Sequence, residues 1–388
     1  MTVIFSTNAG TSALAGDMLL STQVSGADTN LRIPSQPAGI EIPSGLTPQY
    51  IPVRMRRKIF VVNDRMAVGV AGPVPRARAL VTDMIDEFGG NPDFQRDDIS
   101  VFLKRHARVS SDPEAVGAIV LAGEEGGVAS LAMSSDGPMV HDSKRFGEVV
   151  SIGVGAESII RQVEQLDKYK IGYSRPQDGG KGFPEFVPLS YNLVLLANLY
   201  WNEIVVGNNI FDSWGGAYDL IYRDADKTFQ YLEEYTIFLR YYDHQQSDQG
   251  VQLRNVLKYE RRSDVSLLTM LHDDRLVFFG ARDTTDPDDP LDVRVGGPDF
   301  TMNSKVHVSI IQIGKGRVSV PPMIQIDGLG DGDESKQTVT TLFDEEGRLC
   351  VWFEKTHEEW LVQEAKKQYQ RYSDRIDQSS RSVRHHWE

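Results

Sequence analysis

The opening residues restrict the fold more than any other stretch. Val3-Ile4-Phe5-Ser6 reads as an alternating strand, Asn8-Ala9-Gly10 as a tight turn, and Ala13-Leu14-Ala15-Gly16-Asp17 as a second apolar strand ending on a carboxylate. Together they predict a β-hairpin within residues 2–23. The hairpin starts one residue after Thr2. Once Met1 is removed, Thr2 carries a hydroxyl and a free α-amine, a nucleophile and its own base in one residue.

Residues 24–53 hold Pro34, Pro37, Pro43, Pro48 and Pro52 among glycines and serines, and predict an excursion that is neither helix nor central strand. Strands follow over 58–62 and 66–71. Apolar residues at helical spacing (Ala77, Leu80, Val81, Met84, Ile85, Phe88) predict a helix over 76–88, ended by Gly89-Gly90, and a second helix follows over 97–107. Strands are expected over 117–122, 128–133 and 149–155, and a helix near 156–167. A Gly/Pro-rich loop covers 172–186, a long apolar helix 189–206, and a strand 217–222. Hairpin-linked strands segregated from helix pairs predict an antiparallel α+β sandwich rather than a doubly wound sheet.

The second half reads differently. Residues 225–248 are aromatic-rich and fit no single periodicity. Strands are expected over 265–271, 275–281, 306–313, 317–326 and 348–354, with an amphipathic helix over 356–376. The division is a first unit over 1–235, which includes the 24–53 insertion, and a β-rich unit over 250–388 ending in a helix. A chain of 388 residues is long enough for two cores.

Composition narrows the function classes. The net charge of −14 disfavours a nucleic-acid partner, which needs a basic face. No apolar run approaches the roughly 20 residues of a membrane helix, so no membrane partner is expected. The start lacks the basic and apolar regions of a signal peptide. The single cysteine, Cys350, excludes an intramolecular disulfide and fits a reducing cytoplasm. Asp178-Gly179-Gly180-Lys181-Gly182 lacks phosphate-loop spacing. The acidic stretches 283–292 and 327–334 do not match a calcium loop, and the scattered histidines show no ligand spacing. No cofactor and no metal are expected.

In order along the chain, a near-terminal Thr, Ala15-Gly16-Asp17, the Lys58-Ile59-Phe60 strand, Gly72 fourteen residues after that lysine, the turn Ile152-Gly153-Val154-Gly155 and the late Gly215-Gly216 resemble proteasome β-type subunits and their bacterial proteasome-like relatives. The resemblance covers roughly residues 2–222. It implies an αββα four-layer sandwich of the N-terminal-nucleophile hydrolase type and threonine-type hydrolysis of peptide or protein amides. It also implies assembly of copies into a ring and leaves open an ATP-dependent unfoldase as partner.

By the same resemblance Thr2 is the nucleophile, Asp17 and Lys58 its support pair, and Gly72 the backbone donor to the oxyanion, with Asp212 and Ser213 substituting for the family's late polar residues. The chemistry is coherent: an α-amine with a reference pKa of about 7.7–8.0 accepts the hydroxyl proton near neutral pH, a lysine ammonium favours an ionised oxygen, and a turn N–H stabilises the tetrahedral intermediate. By the resemblance Val70 and Val74 fall where the family lines its first specificity pocket, with Leu20 and Arg56 nearby as further substrate-binding candidates. Taken singly, Asp17 reads as a turn residue, Lys58 as a surface lysine and Gly72 as a strand end.

The chain departs from the family pattern in three places. Val154 stands where a serine is usual, and the late motif is altered to Asp212-Ser213-Trp214-Gly215-Gly216. An ungapped alignment sets Met1, not Thr2, at the nucleophile position, whereas a one-residue gap matches Thr2-Val3-Ile4-Phe5-Ser6 to the first strand. A catalytically inactive proteasome-like scaffold, whose C-terminal unit binds a partner, is the alternative expectation.

Overall fold

The computed structural model describes residues 2–23, 32–37, 39–40, 50–91, 93–106, 112, 115–168, 171–173, 187–205, 207–224, 226–245, 250–262, 265–272, 275–282, 306–314, 322–328, 339–343, 349–353 and 355–384. The fold is mixed α and β. In chain order the elements are β1 Val3–Ala9, β2 Thr11–Asp17, β3 Leu19–Gln23, β4 Tyr50–Met55, β5 Ile59–Asn63, β6 Met66–Ala71, α1 Val74–Phe88, α2 Arg96–His106, β7 Gly117–Glu124, β8 Gly127–Met133, β9 Met139–Ser143, β10 Gly147–Gly153, α3 Ala156–Lys168, β11 Ile171–Tyr173, α4 Val187–Val205, α5 Asn208–Phe211, β12 Tyr218–Arg223 and β13 Phe229–Tyr231. The remainder is β14 Glu234–Tyr242, β15 Val251–Arg262, β16 Val265–His272, β17 Arg275–Arg282, β18 Val306–Ile313, β19 Met323–Gly328, β20 Val339–Phe343, β21 Leu349–Phe353 and α6 Lys355–Arg384.

The predicted hairpin lies at the centre of a sheet. Its order is β13-β12-β2-β1-β10-β9, every neighbour antiparallel. A central strand covered on both faces cannot present alternate residues to water, and β1 does not. Ser6 on one face and Thr7 on the other are both buried, bonded to Ser130 Oγ (3.2 Å) and Asn192 Oδ1 (2.6 Å) respectively. On one face Ile4 and Leu14 meet Ile59, Ala67, Ile119 and Leu121 of a four-stranded sheet ordered β5-β6-β7-β8. On the other face Val3, Phe5 and Ala15 pack with Ile159 and Val163 of α3 and Leu193 and Leu196 of α4. The outer face of the four-stranded sheet is covered by α1 and α2 through Leu80, Met84, Phe88 and Phe102.

A second sheet, ordered β11-β19-β18-β14-β15-β16-β17, contains two parallel pairs, β14 with β18 and β11 with β19. Helix α4 lies between it and the first sheet, and one apolar cluster runs from Phe5 through Leu195 and Tyr200 to Ile237, Leu257 and Ile310. That placement explains a helix apolar all round. Arg57, buried, crosses the same junction: its Nε donates to Ser266 Oγ at 2.6 Å and lies 3.5 Å from Asp219 Oδ2. Helix α6 docks through Leu361 and Ala365, and its Glu358 pairs with buried Arg240 and accepts Val251 N–H at 3.1 Å. No described helix is long and apolar enough to cross a membrane.

Several expectations are corrected. Residues 50–53 of the proline-rich stretch belong to β4, which pairs with β3; Pro52 sits opposite Ser21 at a register shift of a two-stranded sheet, where a missing N–H costs little. The aromatic-rich 225–248 region contains β13 and β14, and β14 is a central strand buried on both faces. The twelve-residue β15 had no counterpart in the sequence reading. The last helix runs to Arg384, beyond residue 376. Strand β11, within 1–235, pairs with β19 of the second sheet. The stretches Asp178–Gly182 and Asp283–Asp292, and most of 327–334, lie outside the described residues.

Candidate functional site around Asp17

Asp17 ends β2, and the chain turns at once into β3. Its carboxylate is fully buried and accepts from four separate parts of the chain. Oδ1 accepts Thr2 Oγ1–H at 2.7 Å, Val3 N–H at 2.8 Å and Lys58 Nζ at 2.9 Å. Oδ2 accepts Leu19 N–H at 3.2 Å, Gly215 N–H at 3.0 Å and Lys58 Nζ at 2.9 Å. Three of these donors are backbone amides, from Val3, Leu19 and Gly215.

Lys58 enters from the start of β5, and the Lys58 carbonyl accepts Val70 N–H at 2.9 Å. Its ammonium also donates to Leu19 O at 2.5 Å. An ammonium has three N–H donors, and three acceptors stand within 2.9 Å of this one. Burial pushes the Lys58 ammonium below its ordinary pKa, while the attraction of Asp17 and the bonds to it pull it back up.

Thr2, Asp17 and Lys58 are therefore brought together. Thr2 is 3% exposed. Its hydroxyl donates to Asp17 rather than to an amine, and among the described residues no bond joins it to Lys58. Both oxygens of that carboxylate are already engaged by other donors, and an alkoxide 2.7 Å from it would face a like charge.

Gly72 sits at the exposed junction of β6 and α1. Its φ of 125° and a carbonyl, Ala115 O, 2.7 Å from where a Cβ would stand account for glycine there. Among the described residues no hydrogen bond joins it to Asp17. Asp212 is exposed. Ser213 is buried, has φ 67°, and its Oγ has no hydrogen-bond partner among the described residues. Trp214 packs its ring over Gly155 beside Val3, and Val154 is 52% exposed. Of the four pocket candidates, Leu20 and Arg56 are partly exposed on and just after the β3–β4 ribbon, and Val74 is exposed at the start of α1. Val70 is buried and packs beneath α1 with Leu80 and Met84.

Sequence reasoning missed Glu203, the one charged residue of α4. It is buried beside the Asp17 cluster. Gly215 and Gly216 are consecutive, yet their amides diverge: Gly215 N–H goes to Asp17 and Gly216 N–H to Glu203, at 3.1 and 3.0 Å to its two oxygens. Ser35 Oγ donates to Glu203 Oε1, Asn209 Nδ2 to Oε2 at 2.8 Å, and Tyr218 O–H reaches Oε2 at 3.5 Å. Burial pushes this carboxyl up to about 7; the Ser35, Asn209 and Gly216 bonds oppose the rise, and the nearby Asp17 charge adds to it. The signal in the sequence was a lone carboxylate inside a nineteen-residue apolar helix.

Among the described residues, no three His, Cys, Asp or Glu side chains are placed to hold a metal. No protein-family model matches the chain, and no curated protein matches it in sequence.

Proposed function

We propose that the chain is a proteasome-like, N-terminal-nucleophile-type scaffold in which the Asp17–Lys58 pair serves structure rather than amide hydrolysis. Four layers support the fold reading: α3 and α4, the six-stranded sheet, the four-stranded sheet, then α1 and α2. One observation carries the functional reading. The Thr2 hydroxyl is buried and donated into a carboxylate that already holds Lys58 and three amides. The exposed Val154 and the packed Trp214 agree with it, because neither supplies a hydroxyl to a neighbouring amine. In this reading the β-rich C-terminal unit binds a partner, and copies assemble into a ring, which negative-stain microscopy tests.

A second reading keeps threonine-type hydrolysis of peptide or protein substrates, with an ATP-dependent unfoldase as partner. The contiguous Thr2–Asp17–Lys58 chain of contacts, at 2.7 and 2.9 Å, favours it. It requires loss of Met1, after which the freed amine competes with Asp17 for the hydroxyl proton.

Intact mass spectrometry and a peptidase assay separate the two. The scaffold reading expects equal rates for wild type, Thr2→Ser and Thr2→Ala on mixed peptides. Loss of Met1 together with turnover abolished in Thr2→Ala would overturn it.

A further inference from the structure

The segment 32–37 lies against the last turns of α4. Ile33 and Gln36 close it on itself, with Gln36 N–H donating to Ile33 O at 2.9 Å and Ile33 N–H to Gln36 O at 3.4 Å. Ile33 is fully buried in the cluster shared with α4. The Tyr200 hydroxyl donates to Pro34 O at 3.1 Å. Ser35 donates to Glu203. The segment thus lies against a carboxyl that is 1% exposed and, among the described residues, faces no cation. An uncompensated buried carboxylate is costly, and it escapes the cost by taking a proton or by regaining water.

We propose that Glu203 and the 32–37 segment form a proton-operated clasp: protonated Glu203 holds the segment against α4, and ionised Glu203 releases it. The claim is independent of whether Thr2 is a nucleophile.

The surroundings fit the protonated form. A neutral carboxyl has one O–H to donate, and the Ser35 and Tyr218 hydroxyls, which donate to the carboxylate, each carry lone pairs able to accept that proton once the hydroxyl rotates. The Gly216 and Asn209 N–H groups keep donating to the remaining lone pairs. The titratable neighbours are Asp17 from β2, Tyr200 from α4 itself, Tyr218 from β12 and, one step further out, Tyr235 from β14, whose hydroxyl donates to Tyr218 O at 2.9 Å. All are acids: Asp17 raises the cost of a second negative charge, and burial holds the three tyrosines well above their ordinary range, as neutral phenols.

The direction follows from linkage. In the clasped form the carboxyl holds its proton to about 7. Once the segment lifts and water enters, Glu203 returns toward an ordinary carboxylate. The clasped form therefore binds the proton more tightly, and raising the pH through neutrality favours release. Between pH 6 and 8 the clasped-to-open ratio falls about tenfold.

Amide hydrogen exchange of the full chain at pH 6 and pH 8, corrected for intrinsic rates, reads this ratio on peptides covering 32–37. Wild type is expected to lose about tenfold in protection at pH 8, while peptides from α1 do not. Glu203→Gln is expected to be equally protected at both values. A fall in Glu203→Gln as large as in wild type overturns the clasp. Should that variant not fold, wild type decides alone: a change over 32–37 no larger than that in α1 overturns it.

Discussion

Removing the Lys58 ammonium tests whether the Asp17 cluster is a sealed structural joint. In Lys58→Met the carboxylate keeps the Thr2 hydroxyl and the amides of Val3, Leu19 and Gly215 but loses its only counter-charge among the described residues. Breaking a buried pair from one side costs about 3–5 kcal/mol, because the remaining charge is stranded in a dry site. That is a large share of the 5–15 kcal/mol typical of a domain. Asp17→Asn strands Lys58 instead, and it turns a side-chain N–H toward the Leu19 or Gly215 amide, at about 1–3 kcal/mol for each orphaned donor. The double variant strands no charge. Its loss should therefore fall short of the sum of the single losses by about 2–3 kcal/mol. Urea unfolding followed by far-UV circular dichroism measures all four proteins. A Lys58→Met loss below about 1 kcal/mol, or an additive cycle, would mean that water reaches Asp17 and the joint is not sealed.

Three further expectations follow from the same region and from α6. Gly215 has φ 114°, and a Cβ there would stand 2.1 Å from Glu203 Oε2, so Gly215→Ala should lower stability by about 3–5 kcal/mol through strain and displaced buried bonds, seen as a lower melting temperature. Glu203 has a folded pKa raised from 4.5 to about 7, so the stability it contributes is full below 4.5 and is lost as the pH rises through 7. The advantage of Glu203→Gln over wild type should therefore grow by about 2.5 kcal/mol between pH 5 and pH 8 in urea titrations, and a constant difference would contradict the buried, uncompensated carboxyl. Glu358→Ala leaves buried Arg240 without its α6 partner, and because Glu358 is itself partly exposed the cost is about 1–2 kcal/mol, with faster amide exchange in the first turns of α6 as the readout.

Helices α1, α2 and α3 were legible because each has one covered face, which imposes a period on the sequence, and the hairpin because turn residues Asn8-Ala9-Gly10 stand between two apolar runs. Strands β14 and β15 were not: β14 is buried on both faces, so Glu234 to Tyr242 shows no alternation. Helix α4 was visible as apolar, but that it separates two sheets depends on β18 and β19, more than a hundred residues later. At the site, the order of Thr2, Asp17, Lys58 and Gly72 placed three residues together and left Gly72 at an exposed junction. The sequence did not reveal which atom the Thr2 hydroxyl meets, since that depends on side-chain geometry rather than spacing. Nor did it reveal Glu203 as the carboxyl on the far side of the Gly215–Gly216 peptide.

The sheet order also sets a timetable for synthesis. A ribosome releases β1 and β2 first, yet their outer neighbours are β10 and β12, at 147–153 and 218–223. At about 5–20 residues per second the wait for β12 is roughly 10–40 s. Two of the hairpin's edges are unpaired until β10 is made and one until β12 is, with apolar side chains on both faces, the condition that invites pairing with other chains. The nascent hairpin is therefore the segment that a holding chaperone would have to cover, and a fragment ending at residue 205 should aggregate more readily than the whole chain.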